Sequence, residues 1–407
     1  MKRIWNLILM NCVFCSAFDP SVQGADERPN ATSPSAVSNV AVIYWQAFSR
    51  MPNLTDQQRK AIEEASASVS IPVSAEVATV ISQYQGAFHE LQRAQVVALC
   101  DWQLDSDQGP LTLLPHLDKA RQLSRASLLR ARQRFAAGEI DTAISDVLSV
   151  YKLGRDCGAS PILISLLVDG ATEKQASEVF AVNLPLLSKA QLDHLETSLH
   201  QLPKASDITS AIREEARSFT SWLTQMVDAE DAKLNDPKAG RKLIVALNSN
   251  TGIELDATLN LNPNEADGKL AIESLESLSV ADVRESINRL KADYRELAKI
   301  AEMPFDTRTD RVKLFYDSLS EAGKFKSHED ALRYFSVTSL LGTQKVLNVE
   351  EQWDIRRQLF EQTIHMQRDG VAVKPINGRI VEYKKTDTGF ELKCPSNGDP
   401  IVIKVGR

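Results

Sequence analysis

The sequence predicts a mainly α protein: stacked antiparallel helical hairpins, arranged as an α-solenoid or helical bundle and closed by a small C-terminal antiparallel β-meander. Three observations predict it. Apolar residues recur at steps of three and four over some 330 residues, Gly, Pro and Ser punctuate that pattern where helices should start and stop, and the period drops to two near residue 380. At 407 residues and 43% hydrophobic content, the chain has enough apolar surface for one large helical domain or two smaller ones.

The chain opens Met1-Lys2-Arg3 and runs through Ile4, Trp5, Leu7, Ile8, Leu9, Met10, Val13 and Phe14. A charged start and a short apolar stretch have the layout of a secretory signal, and the stretch is shorter than the roughly 20 apolar residues of a membrane span. Small residues allow cleavage after Ala17 or Gly24, and Gly24 is preferred because Pro20 can end the apolar helix before the cut. Cys12 follows Asn11 and Cys15 follows Phe14, so neither fits a lipid attachment site, which needs a small residue before the cysteine. Residues 1–24 are therefore expected to be a signal peptide, and 25–38, ADERPNATSPSAVS, a disordered linker with almost nothing to bury. The protein is expected to be exported, periplasmic or extracellular.

An N-terminal helical domain is expected over 39–247. Val77, Val80, Ile81, Tyr84, Ala87, Phe88 and Leu91 outline one amphipathic helix, with Pro72 near its first turn. A helix from about Leu113 ends at Gly138, and its partner runs from Glu139 to about Asp156, making an αα-hairpin. Pro161 precedes the strongest apolar run, Ile162 to Val168, which Asp169-Gly170 stops, so it reads as a central buried helix and not as a membrane span. Ser188 with Gln191, and Ser279 with Asp282, have capping-box spacing, and Pro304 should end the second of these helices. Residues 248–268, rich in Asn, Asp and Gly, are expected to be a long loop and the best internal boundary before a C-terminal helical region at 269–368. Over 369–407 the alternation around Val381 and Tyr383, then Phe390, Leu392 and Cys394, then Ile401, Ile403 and Val405, with Gly- and Asn-bearing turns between, spells a three-stranded meander that must pack on helices.

Residues 124–157 contain AAGEIDTAISDVL, which resembles the turn and second-helix start of a tetratricopeptide repeat, Gly138 and Ala143 falling on its small positions. The likeness covers one hairpin, with no second copy about 34 residues away, and implies stacked helical hairpins. From Val40-Ala41-Val42-Ile43-Tyr44-Trp45 through Cys100-Asp101-Trp102 to Pro161–Val168, the N-terminal half is similar to a group of uncharacterised exported bacterial helical proteins, a likeness that implies export and no activity. NGRIVEYKKTDTGFELKCPSNGDPI, 377–401, is similar to the C-terminal β-segment of type II secretion pseudopilins, although the chain lacks the glycine-cleaved leader and long hydrophobic helix of that family.

The formal net charge is −7, and cleavage after Gly24 removes two cations and one anion to leave −8. An acidic protein without clustered Lys and Arg is not expected to bind nucleic acid. Cys100, Cys157 and Cys394 remain after cleavage, too few and too widely spaced for a disulfide framework, and whether Cys100 and Cys157 pair stays open.

The densest polar cluster, Cys100 to Pro110, contains Asp101, Trp102, Asp105 and Asp107. Counted from Asp105 as a calcium loop, position six is Pro110 and position twelve is His116, where Gly and Glu are needed, so the acids read as turn and cap residues. On the following helix Arg121, Arg125 and Arg132 fall within about 40° of one another on the apolar stripe of Leu117, Leu128 and Phe135. Their expected role is an internal network with Asp101, Asp105 or Asp107, or the capture of an anionic ligand. These seven residues are the candidate ligand site. His89, His116, His194, His200, His328 and His365 make no zinc motif, Ser149-Val150-Tyr151-Lys152 matches S-x-x-K only formally in a helix interior, and phosphate-binding glycine loops are missing. No catalytic residue, metal or cofactor is assigned. Trp45, Trp102, Trp222 and Trp353 are scattered and read as packing residues. A non-catalytic scaffold or interaction protein with a protein partner is the expected function, and an exported helical-toroid hydrolase or lyase acting on a glycan is the alternative.

Overall fold

The computed structural model describes residues 38–234, 236, 238–251 and 266–406. The expected signal peptide, the linker as far as residue 37 and the middle of the expected 248–268 loop lie outside the described residues. The flanks of that loop are helical, since one helix reaches Thr251 and the next begins at Ala266.

The fold is mainly α, with one small antiparallel sheet at its C-terminal end. Helix α1 (Val40–Ser49) starts at Asn39, whose side chain accepts from the Ala41 N–H. Helix α2 (Asp56–Ser66) starts on a Thr55–Gln58 capping box. The single helix expected between Val77 and Leu91 is two, α3 (Ala75–Ser82) and α4 (Gln85–Arg93), and α3 opens on Ser74 instead of Pro72. The chain breaks at Gln83–Tyr84 because the two apolar faces have different destinations. Helix α3 packs on α2 and α5 (Pro115–Ala137), whereas α4 packs on α1 and α6 (Ile140–Cys157).

Helices α5 and α6 form the expected hairpin. Gly138 takes φ +79°, a left-handed conformation that costs a β-carbon-bearing residue more, and its N–H and that of Glu139 cap the last carbonyls of α5. Helix α7 (Leu163–Asn183) continues the antiparallel stack against α6. It runs straight through Asp169-Gly170, so those residues end the apolar run without ending the helix. Helix α8 (Lys189–Gln201) has the Ser188–Gln191 capping box read from sequence. Then follow α9 (Ile208–Leu234), α10 (Gly240–Thr251), α11 (Ala266–Glu276), α12 (Val280–Ala301) on its Ser279–Asp282 capping box, α13 (Phe305–Ala322), α14 (His328–Ala331), α15 (Tyr334–Leu340) and α16 (Gln344–Asp369). Pro304 lies at the junction of α12 and α13, capping the second while excluding continuation of the first.

Strands β1 (Glu382–Lys385), β2 (Phe390–Cys394) and β3 (Ile401–Val405) pair in sequence order, all antiparallel, with Tyr383 opposite Leu392 and Leu392 opposite Ile403. Strands β2 and β3 alternate buried and half-buried or exposed side chains, whereas β1 is exposed along its length. The buried face lies on α7 and α16.

The described residues form three apolar cores. The first gathers α1–α4 with parts of α5–α7, around Tyr44, Phe88 and Leu123. The second gathers α5–α8, the C-terminal half of α16 and the sheet, around Phe180, Leu359 and Leu392. The third lies among α9–α15 and the start of α16, around Leu290, Tyr294 and Leu340. Among the described residues no helix is long and apolar enough to cross a membrane.

Candidate functional site

Helix α6 is enclosed on every side, yet it holds Asp146, Lys152, Arg155 and Asp156. Buried charges at this density need partners, because each one left alone costs several kcal/mol. They find them on neighbouring helices. Asp146 takes two bonds from Arg130 of α5, at 2.9 and 2.5 Å, and a third from Arg134 at 2.8 Å. The Arg130 guanidinium also lies 3.7 Å over the Phe88 ring, so α4, α5 and α6 meet at one point. Burial pushes the Asp146 carboxyl up, against the opposing pull of the two arginines.

In the last turn of α6, Asp156 accepts from Lys152 and from the Tyr44 hydroxyl of α1, both at 2.6 Å. Its backbone carbonyl, one of those a helix leaves open, accepts the Trp102 indole N–H at 2.7 Å and lies 3.5 Å from the Cys100 sulfur. The Ser149-Val150-Tyr151-Lys152 match thus joins no serine to its lysine. Ser149 donates to the Ser145 carbonyl and accepts from Gln95, while Lys152 belongs to Asp156.

Helix α7 places Asp169, Glu173 and Ser177 at four-residue steps, on one face of the helix. Arg155 of α6 bonds Glu173 at 2.8 Å, and Arg357 of α16 bonds its other oxygen at 3.1 Å. Asp169 turns one oxygen to the Ser206 N–H and hydroxyl and keeps the other buried, without a partner among the described residues. Burial pushes the Glu173 carboxyl up.

A cleft of about 60 Å³ opens beside this layer, walled by Tyr151, Arg155, Glu173, Arg356, Arg357 and Phe360, with Leu199 and Leu202 at α8. Arg155 and Arg356 are 9% and 8% exposed. Nε and Nη1 of Arg155 and Nη1 of Arg356 are buried without a hydrogen-bond acceptor among the described residues. Their nearest further carboxylates stand beyond hydrogen-bond reach, Asp169 at 3.9 Å from Arg155 and Glu178 at 3.7 Å from Arg356. A larger cleft of about 220 Å³ lies between Gly158–Pro161 and Lys204–Ala211. The Asp207 carboxylate there accepts from the Thr209 and Ser210 N–H groups and caps α9.

The seven residues singled out in the sequence are not brought together. Asp101 is exposed, accepts from the Gln103 N–H and is tied through its backbone to Asn39. Trp102 is buried, stacked 4.3 Å from His116, in the cap role just described. Asp105 accepts from the Asp107 N–H and Gln108, and Asp107 pairs with Arg217 of α9. Arg125 pairs with Glu63 of α2, Arg132 donates to the Ala65 and Ile71 carbonyls, and Arg121 is half-buried. Arg125 and Arg132 thus hold α5 to α2 and the segment after it, and neither bonds the acids expected to meet it. Trp222 is buried, Trp353 is half-buried against the third core and Trp45 is 42% exposed. Cys100, Cys157 and Cys394 are free thiols.

The buried network that does exist uses Arg130 in place of Arg132, and Arg155, Glu173, Arg356 and Arg357, none of them singled out in the sequence. One signal for it was present: Asp169, Glu173 and Ser177 repeat every four residues in a helix otherwise fit for full burial. No family model, curated protein or solved structure matches the chain.

Proposed function

We propose that this protein is exported and acts without catalysis, as a helical scaffold that binds another protein. The observation that carries this reading is how the buried carboxylates are spent. Asp146 is held by Arg130 and Arg134, Asp156 by Lys152 and Tyr44, and Glu173 by Arg155 and Arg357. Each is fastened by a group on another helix or one turn away, which rigidifies the stack and leaves few ionised groups free for acid–base work. Export is supported by the Met1-Lys2-Arg3 start and the apolar stretch after it. The tetratricopeptide-like turn at Gly138, and the outward-facing Val42 and Trp45 on α1, supply the kind of surface a partner protein uses.

The test is affinity capture from the exported fraction with tagged protein, beside a Trp45→Asp variant of unchanged melting temperature. A partner retained by the parent and lost by the variant is the expected result. Failure to capture any partner, together with cleavage of a glycan panel by the purified protein, would overturn the reading in favour of a hydrolase or lyase.

A further inference from the structure

We infer that the cleft between α6, α7, α8 and α16 is a binding site for a small oxyanion, a carboxylate that bears an apolar group. The inference does not depend on the protein-partner reading. Arg155 and Arg356 are each more than nine-tenths buried, line the cleft, and present three N–H-bearing nitrogens with no acceptor among the described residues. A buried donor left unsatisfied costs about 1–3 kcal/mol, and more when charged, so the chain carries a standing deficit that an acceptor in the cleft removes. A guanidinium donates in a planar fork that suits a carboxylate or a phosphate.

The charges facing the space have been partly used, and the remainder is cationic. Glu173 is divided between Arg155 and Arg357. Asp169 gives one oxygen to Ser206, and Glu178 is shared with Lys174 at 2.8 Å. Glu361 lies exposed at the rim. Arg356 is thus the cation with the weakest hold on a carboxylate, and burial pulls its guanidinium pKa down, the direction an anion beside it would reverse. At about 60 Å³ the cleft holds the equivalent of about two water molecules, the size of one carboxylate head. Beside Tyr151 and Ser177, Leu199, Leu202 and Phe360 give the remaining wall an apolar stretch, which favours a carboxylate with a hydrocarbon substituent over a bare phosphate.

The experiment is calorimetric titration of the full chain with sodium 3-methylbutanoate, sodium acetate and inorganic phosphate, each against chloride at equal ionic strength. Saturable binding of 3-methylbutanoate at least fivefold tighter than acetate or phosphate is expected, and tighter phosphate would keep the oxyanion site while reassigning the ligand to a phosphate. Arg356→Gln should weaken binding tenfold or more, whereas Arg121→Gln should leave it unchanged. Because Arg155→Gln takes away one of the two cations that hold buried Glu173 and risks the fold, Arg155 is followed in the unmodified protein, where its guanidinium Nε–H resonance should shift along the same saturation curve. No saturable binding of any of the three anions, or equal affinity in the parent and Arg356→Gln, would overturn the proposal.

Discussion

Two single residues set opposite pH responses. His116 is fully buried, stacked on Trp102, with neither ring nitrogen hydrogen-bonded among the described residues, and burial pulls its pKa down to about 4. The unfolded chain therefore takes up the proton first, and this histidine's contribution to stability is lost as pH falls from about 6.5 toward 4, by about 3 kcal/mol at the end of that range. Glu215 of α9 accepts the Leu163 N–H at the start of α7, and burial pushes its carboxyl up to about 7. Here the folded state holds the proton more tightly, so stability is lost as pH rises from about 4.5 to 7, by about 2 kcal/mol after allowing for a side chain that is only half-buried. The windows overlap and the signs oppose, so the parent protein should show a flat profile between pH 5 and 7. The difference curves separate them. His116→Phe should gain melting temperature relative to the parent as pH drops to 5, and Glu215→Gln should gain it at pH 8 while keeping an acceptor for Leu163. If thermal melts at pH 5, 6, 7 and 8 give parallel curves for all three proteins, both assignments fail.

At the scale of the element, α7 and α16 touch where a glycine allows it. A β-carbon on Gly170 would stand 2.1 Å from a Trp353 ring carbon, so the indole occupies the space that any other residue would fill. In a helix interior Gly→Ala ordinarily gains about 1 kcal/mol, but forcing an atom into a filled contact costs about 1–3 kcal/mol or more, so packing decides the sign. Gly170→Ala should lower the melting temperature, and adding Trp353→Leu should restore part of the loss, a non-additive pair in a double-mutant cycle. Additive effects would mean that the two residues are not coupled. This contact was not legible in the sequence, where Gly170 merely interrupts an apolar run. What was legible had a local cause: Gly138 between two periodic stretches, the Ser188 and Ser279 boxes, the two-residue alternation of the meander. The break at Gln83–Tyr84 was invisible because both halves keep one apolar period and differ only in which helices they meet. The arginines failed for the same reason. Periodicity gave the stripe Arg121, Arg125 and Arg132, but Arg125 meets Glu63 and Arg132 meets backbone carbonyls because α2 returns beside α5, while α9 brings Arg217 to Asp107, and nearness in sequence pointed to other pairs.

For the whole molecule, the decisive feature is that long helices are shared between cores. Helices α6 and α7 serve the first and second cores, and α16 enters the third at Leu347 and leaves through the second at Ile355, Leu359 and Ile364. The sheet closes the second core from outside with Phe390, Leu392, Cys394, Ile401, Ile403 and Val405. Burying six such side chains contributes on the order of 10 kcal/mol gross at about 1.5–3 kcal/mol each, offset by the entropy of ordering the tail. A chain ending at residue 370 therefore exposes the faces of α7 and α16 that the strands cover. It should melt several degrees lower than the full chain, bind a hydrophobic dye, and be cut first by protease in the C-terminal half of α16, while the third core resists longer. Unfolding spreads from one end: the C-terminal half of α16 loses its strand cover and keeps only its packing on α7 and α8, whereas its start keeps Leu347 and the Arg308–Glu350 pair at 2.6 Å. A truncated chain melting within about 2 °C of the parent would mean that the meander is an appendage and that the second core is sealed by helices alone.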